Sequence, residues 1–243
     1  MQGLSLPGMA AALRALLGHL GLEPVAAIGH SAGAAVACRM ALSGELAVRK
    51  IISLNGALLP PLHMPLQVFS PLARLLAATP LIPAVFAMRA RNSAAVSRLI
   101  AGTGSRLDAD GLNFYQSLLC NPRHVSAALR MMAVWDLAGL ARELGALRTP
   151  LDLIVAEGDR TIAPAEALRV QCMLPAARVF RLAGLGHLAH EEDPVATLPL
   201  LIRCLAGTGA DGRPASAPAD SPASAAPSHY NSPEGATSGR PPA

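Results

Sequence analysis

The stretch Val25-Ala26-Ala27-Ile28-Gly29-His30-Ser31-Ala32-Gly33 decides how the rest of the chain is read. After Pro24, the run Val25 to Ile28 has the length and texture of a buried parallel strand. Beyond it, Ala34 to Leu42 reads as a helix ended at Gly44, which places Gly-His-Ser-Ala-Gly at a sharp strand-to-helix turn. On such a turn Gly29 and Gly33 would relieve crowding, and the Ser31 hydroxyl would be lifted above a sheet. Ser31 is therefore the candidate nucleophile, with Gly29, His30 and Gly33 shaping its elbow. The backbone N–H of Ala32, the next residue, is the candidate oxyanion donor. His30 is expected to pack rather than react.

Working outward, Leu6, Met9, Leu13, Leu16, Leu17 and Leu20 keep helical spacing, with Ser5 as N-cap, Pro7 in the first turn and Gly21 closing the helix. Downstream, Ile51 to Leu54 predicts a second buried strand and Leu151 to Ala156 a third. Pro164 to Leu174 predicts a helix stopped by Pro175, and Arg178 to Leu182 a further strand. A last helix begins at Asp193-Pro194, where Pro199 should kink or shorten it. Strands alternating with helices of this size imply an α/β protein with a mostly parallel, doubly wound sheet. Between about residues 59 and 148 the pattern breaks into proline-punctuated apolar sequence and then short helical pieces, an inserted helical cap. Leu62 to Met88 is apolar, but Pro65, Pro71, Arg74, Pro80 and Pro83 interrupt it, so a lipophilic lid is expected in place of a membrane span. The folded domain is expected over 1–206. Residues 207–243, rich in Pro, Ala, Ser and Gly, are expected to form a disordered tail in which His229 and Tyr230 are solvated.

A serine hydroxyl needs a base to take its proton and a third group to orient that base. Asp159 follows the strand 151–156 through Glu157-Gly158, placing a carboxylate beyond a strand's C-terminal end, where active sites of open α/β sheets lie. His187 follows the last strand in Ala183-Gly184-Leu185-Gly186-His187, a loop flexible enough to carry imidazole back over the sheet. The order Ser31, Asp159, His187 is that of the α/β-hydrolase fold. Asp152 and Asp136 compete for the acid role, but one lies within a strand and the other within the cap. His190 competes with His187. His187-Leu188-Ala189-His190-Glu191-Glu192 superficially suggests a zinc helix, but its order differs from H-E-x-x-H and glycines precede it, so no metal is expected and the two glutamates read as a solvated face. Gly102-Thr103-Gly104-Ser105 lacks the Gly-Lys-Ser/Thr of a phosphate loop and reads as a cap turn. The scattered carboxylates form no Mg²⁺ cluster, and no cofactor is expected.

Composition agrees with a globular domain. Of 243 residues, 52% are hydrophobic and 15% charged, while aromatics are only 3%, so the core must be aliphatic. The net charge of +4 comes almost wholly from singly scattered arginines, Lys50 being the only lysine, which excludes a basic nucleic-acid stripe. Cys38, Cys120, Cys172 and Cys204 have no C-x-x-C spacing and read as buried small hydrophobes in a reducing cytoplasm. Met1 to Gly8 carries no secretory signal pattern.

Beyond the general fold, the chain resembles the BchO-type magnesium-chelatase accessory proteins of bacteriochlorophyll biosynthesis. The resemblance rests on Ser5 to Met9, Gly29 to Ala35, Ser53-Leu54-Asn55-Gly56-Ala57-Leu58, Gly102 to Ser105, and Gly184 to Glu191, and spans about residues 4 to 205. It implies an α/β-hydrolase fold with the triad at Ser31, Asp159 and His187. It also implies a hydrophobic small-molecule substrate, a tetrapyrrole or an acyl ester, and contact with magnesium-chelatase subunits in a cytoplasmic setting beside photosynthetic membranes. The family's N-terminal strands, and the loop that supplies a second oxyanion N–H, have no counterpart in the 30 residues before Ser31. An N-terminally truncated sheet is therefore expected. Three readings stay open: a serine hydrolase, a non-catalytic porphyrin-binding or chelatase-interacting module, and an inactive fragment.

Overall fold

Ser5 caps helix α1 (Leu6–His19): its hydroxyl accepts the Gly8 amide at 3.2 Å, and Pro7 sits in the first turn, where a missing N–H costs nothing. Gly21, at φ 62°, reverses the chain after the helix. A computed structural model of the protein describes residues 2–60 and 81–207. The chain passes through β1 (Ala26–His30) into α2 (Ala32–Leu42) and then β2 (Lys50–Leu54). The helices described before the next strand are α3 (Leu81–Ala90), α4 (Ser93–Gly102), α5 (Ala109–Leu119), α6 (Pro122–Val134) and α7 (Leu137–Glu143). Strand β3 (Leu151–Ala156), helix α8 (Ala165–Met173), strand β4 (Arg178–Leu182), the short α9 (Ala189–Glu192) and α10 (Pro194–Ala206) complete the order. The expected tail and the first part of the expected lid lie outside the described residues.

The four strands pair in parallel in the order β1-β2-β3-β4, with His30 opposite Leu54, Leu54 opposite Ile154, and Ala156 opposite Leu182. Parallel pairing brings every strand's C-terminal end to one edge, so the segments leaving β1, β2, β3 and β4 emerge side by side. Period-two alternation splits the sheet's side chains between two cores. Ile51, Leu151, Leu153 and Val155 face α1, α2, α7 and α8, whereas Ile52, Leu54, Ile154 and Leu182 face Ala189 and Cys204. A third cluster joins Ala90, Val96 and Ile100 of the helical insertion to Leu188, beyond β4. Leu140, Leu144 and Leu147 belong to the main core, so the inserted helices grade into the domain before residue 148.

Several expectations need correction. The strand after Pro24 begins at Ala26 and is not buried: Val25 is 62% and Ile28 50% exposed. The cause is position, because among the described residues β1 pairs only with β2 and forms a sheet edge. With α1 and α2 it lines an apolar groove of about 440 Å³. Pro199 does not shorten α10, which runs on to Ala206. The carbonyl that lacks a helical N–H there belongs to Val195, an exposed residue. Of the cysteines, Cys38 and Cys204 are buried but Cys172 is exposed on α8.

Candidate active site

Ser31 sits in a backbone conformation that L-residues avoid, φ 50° and ψ −117°. Strand β2 and its exit hold it there: Ser31 N–H donates to Leu54 O at 3.0 Å, and Ala57 N–H donates to Ser31 O at 3.0 Å. Gly29 is required by close approach, since a Cβ at that position would overlap the Ala34 amide. Gly33 is not: a Cβ there would meet nothing within 4 Å, so it relieves no crowding among the described residues. Ala32 opens α2, where its N–H has no preceding helical turn to donate to and the helix dipole adds positive character.

Asp159 is buried and fully engaged. Its Oδ1 accepts the amides of Thr161 at 2.7 Å and Ile162 at 2.9 Å, and its Oδ2 lies 2.7 Å from His187 Nδ1. In a singly protonated ring that geometry makes Nδ1 the donor and leaves Nε2 as the acceptor nitrogen. Among the described residues no hydrogen bond joins the Ser31 hydroxyl to His187, a link that often tightens only with substrate bound. The competing carboxylates are committed elsewhere. Asp152, in β3, holds Arg178 through two bonds of 2.7 Å and Lys50 at 3.1 Å, and Asp136 caps α7 through the Gly139 amide.

Three side chains that sequence reasoning did not assign to the site hold the His187 loop or flank it. Asn55, buried and at φ 47°, leaves β2 and donates from Nδ2 to His187 O at 2.9 Å and Gly186 O at 3.2 Å; its Oδ1 accepts the Ala156 amide at 2.8 Å. One amide thus ties the ends of β2 and β3 to the histidine loop. Asparagine tolerates the left-handed region, and an Asn-Gly pair just after a strand was the available signal. Glu192, expected to be solvated, accepts the Gly186 amide at 2.9 Å, while its neighbour Glu191 accepts the Tyr115 hydroxyl from α5 at 2.8 Å.

His30 lies between two other imidazoles, with ring centroids 4.8 Å from His187 and 4.5 Å from His190. Its Nε2 donates to His187 O at 2.9 Å. Burial is the main influence on its pKa, pulling it down to about 4 against the opposing effect of that hydrogen bond, so the ring is neutral at pH 7. His190 is likewise pulled down by burial, and its Nδ1 has no hydrogen-bond partner among the described residues. Among the described residues no group of three or more His, Cys, Asp or Glu side chains is placed to hold a metal ion. No described helix is long and apolar enough to cross a membrane.

A parallel sheet, a strained serine at a strand-to-helix turn and an aspartate-bound histidine on neighbouring loops define a class. Residues 3–200 match the model of the alpha/beta hydrolase family, and the chain belongs to that family. Among curated proteins it is similar to the magnesium-chelatase 30 kDa subunit of Rhodobacter capsulatus, with 37% identity over 183 residues, 75% of this chain and 63% of the relative. The chain thus spans less than two thirds of that relative's length. Solved structures of the same fold include an alpha/beta hydrolase fold protein from Burkholderia ambifaria, at TM-score 0.63 and 20% identity over 82% of this chain and 72% of that one. An esterase from Exiguobacterium antarcticum also matches at TM-score 0.63, with 14% identity over 82% and 73%.

Proposed function

We propose that the chain is a serine-hydrolase-type protein acting on a hydrophobic ester or related substrate in bacteriochlorophyll biosynthesis. The 2.7 Å hydrogen bond between Asp159 and His187, on loops beside a strained Ser31, carries this reading. In the proposed reaction, His187 Nε2 takes the Ser31 proton as Oγ attacks the ester carbonyl. Asp159 stabilises the imidazolium, and Ala32 N–H holds the oxyanion. Collapse breaks the ester bond, the proton passes to the departing alcohol, and water then releases the acid from Ser31 by the same steps. A fluorophosphonate should label Ser31, as mapped by peptide mass spectrometry, and should not label Ser31→Ala. A folded protein that never labels overturns the proposal.

A second reading is favoured by the name of the Rhodobacter relative, a subunit of magnesium chelatase. Here the protein binds a porphyrin or a chelatase subunit without covalent chemistry. Pigment accumulation in a host carrying Ser31→Ala separates the two. Unchanged pigment favours binding, and loss of pigment with the protein still folded favours catalysis.

A further inference from the structure

The turn Gly102-Thr103-Gly104-Ser105, at the C-terminal end of α4, has no part in the chemistry above. It nevertheless touches both loops of the candidate site. Thr103 O accepts the His187 amide at 3.3 Å and the Arg160 amide at 3.1 Å. Ser105, 1% exposed, accepts the Leu188 amide on its Oγ at 2.8 Å. Close approach is built into the glycines. A Cβ on Gly104, which sits at φ 89°, would overlap Gly158 O, and one on Gly186 would overlap Gly104 and the Ser105 amide. The turn is anchored in its own helix by the Thr103 hydroxyl, which donates to Ile100 O at 2.6 Å. Ile100 and Val96 in turn pack with Leu188.

We propose that Thr103 to Ser105 form a positioning element for His187 and Asp159, coupling the seat of α4 to the aim of the imidazole. This rests on the reading of Ser31, Asp159 and His187 as a hydrolytic triad. The peptides around His187 are gripped from two sides. Asn55 and His30 hold its carbonyl, whereas Thr103 holds its amide and Ser105 the amide of Leu188. Because Thr103 O also takes the Arg160 amide, the same atom sets where the loop carrying Asp159 stands relative to the ring. A shift of α4 moves both partners of the 2.7 Å bond.

The test compares Ser105→Ala with Ser105→Thr, which keeps the oxygen acceptor. The readouts are the rate at which fluorophosphonate labels Ser31, its pH profile, and the low-field proton resonance of His187 Nδ1–H. Ser105→Ala should stay folded, label about 10-fold more slowly and lose or shift the resonance, since a small misplacement of a catalytic group is costly in rate. Ser105→Thr should recover most of both. Thr103→Val, which is nearly isosteric and cuts only the anchor to Ile100, should move the same readouts in the same direction, and it decides the matter if Ser105→Ala does not fold. Wild-type labelling rate, pH profile and resonance in the folded variants overturn the positioning role. A wild-type protein that shows the resonance but never labels overturns the hydrolase reading instead, and the resonance comparison then decides on the turn.

Discussion

Acidification should destabilise this protein through His30 in a window set by its own pKa. The unfolded chain takes up a proton on this residue near the ordinary value of 6.5, whereas the folded protein holds the ring neutral down to about 4. The unfolded state therefore binds more protons between those values, and the stability His30 contributes is complete above pH 6.5 and lost as pH falls toward 4. That interval corresponds to about 3 kcal/mol at ~1.4 kcal/mol per tenfold change in proton affinity. Since the ring is only partly buried, screening by solvent reduces the expected loss to about 2 kcal/mol. The groups that face His30 are His187, His190 and Asp159: the rings of His187 and His190 add to the loss, whereas the hydrogen bond to the His187 carbonyl and, more weakly, the Asp159 carboxylate oppose it. His190 is also held below its ordinary value and adds to the same slope. Urea unfolding of wild type and His30→Gln at intervals from pH 7.5 to 4.5 isolates the His30 share, because glutamine keeps a donor without titrating. The variant should lose about 2 kcal/mol less than wild type over that range. Equal slopes in the two proteins would refute the reasoning.

The buried charge cluster at Asp152 offers a second test, far from the chemistry. Asp152→Leu strands Lys50 in the core and should cost about 3–5 kcal/mol, while adding Lys50→Met should restore much of that in urea melts. At the elbow, Gly29→Ala should fail to accumulate as folded protein, because its methyl meets the Ala34 backbone, whereas Gly33→Ala should melt within about 1 kcal/mol of wild type. Asp159→Asn should keep the fold but slow fluorophosphonate labelling of Ser31 by about 10⁴-fold, since the amide favours the wrong imidazole tautomer. Labelling near the wild-type rate removes Asp159 from the site.

Strands β3 and β4 could be read to the residue because a nearly apolar run, Leu151 to Ala156, and an alternating one, Arg178-Val179-Phe180-Arg181-Leu182, are bounded by chemistry that cannot continue them, Pro150 before the first and Ala183-Gly184 after the second. The exposure of β1 could not, since Val25 to Ile28 carries the same letters whether it has neighbours on one side or two. Asp159 and His187 stood out through order and strand context, and the structure brings their side chains together. What held their loops was hidden. Asn55, Ser105 and Glu192 act on backbone amides and carbonyls up to 132 positions away, and no residue type announces which distant peptide it will meet. Glu192 was misread for the same reason: its charge suggests water, and only the approach of the Gly186 amide shows it half-buried and engaged, whereas Glu191 is exposed as its charge suggests.

The elbow's dependence on β2 has a consequence for when the site can exist during folding. Ser31 reaches its unfavourable backbone angle only with Leu54 O and the Ala57 amide in place, both more than twenty positions along the chain. Local sequence cannot pre-form the turn, so it must appear after β1 and β2 have zipped with Gly29 opposite Ser53. A slip of one residue would turn every side chain of β1 to the opposite face and leave the serine an ordinary loop residue. The nucleophile's geometry is in this sense a report on strand alignment, and a misaligned chain would retain its helices yet offer no reactive hydroxyl.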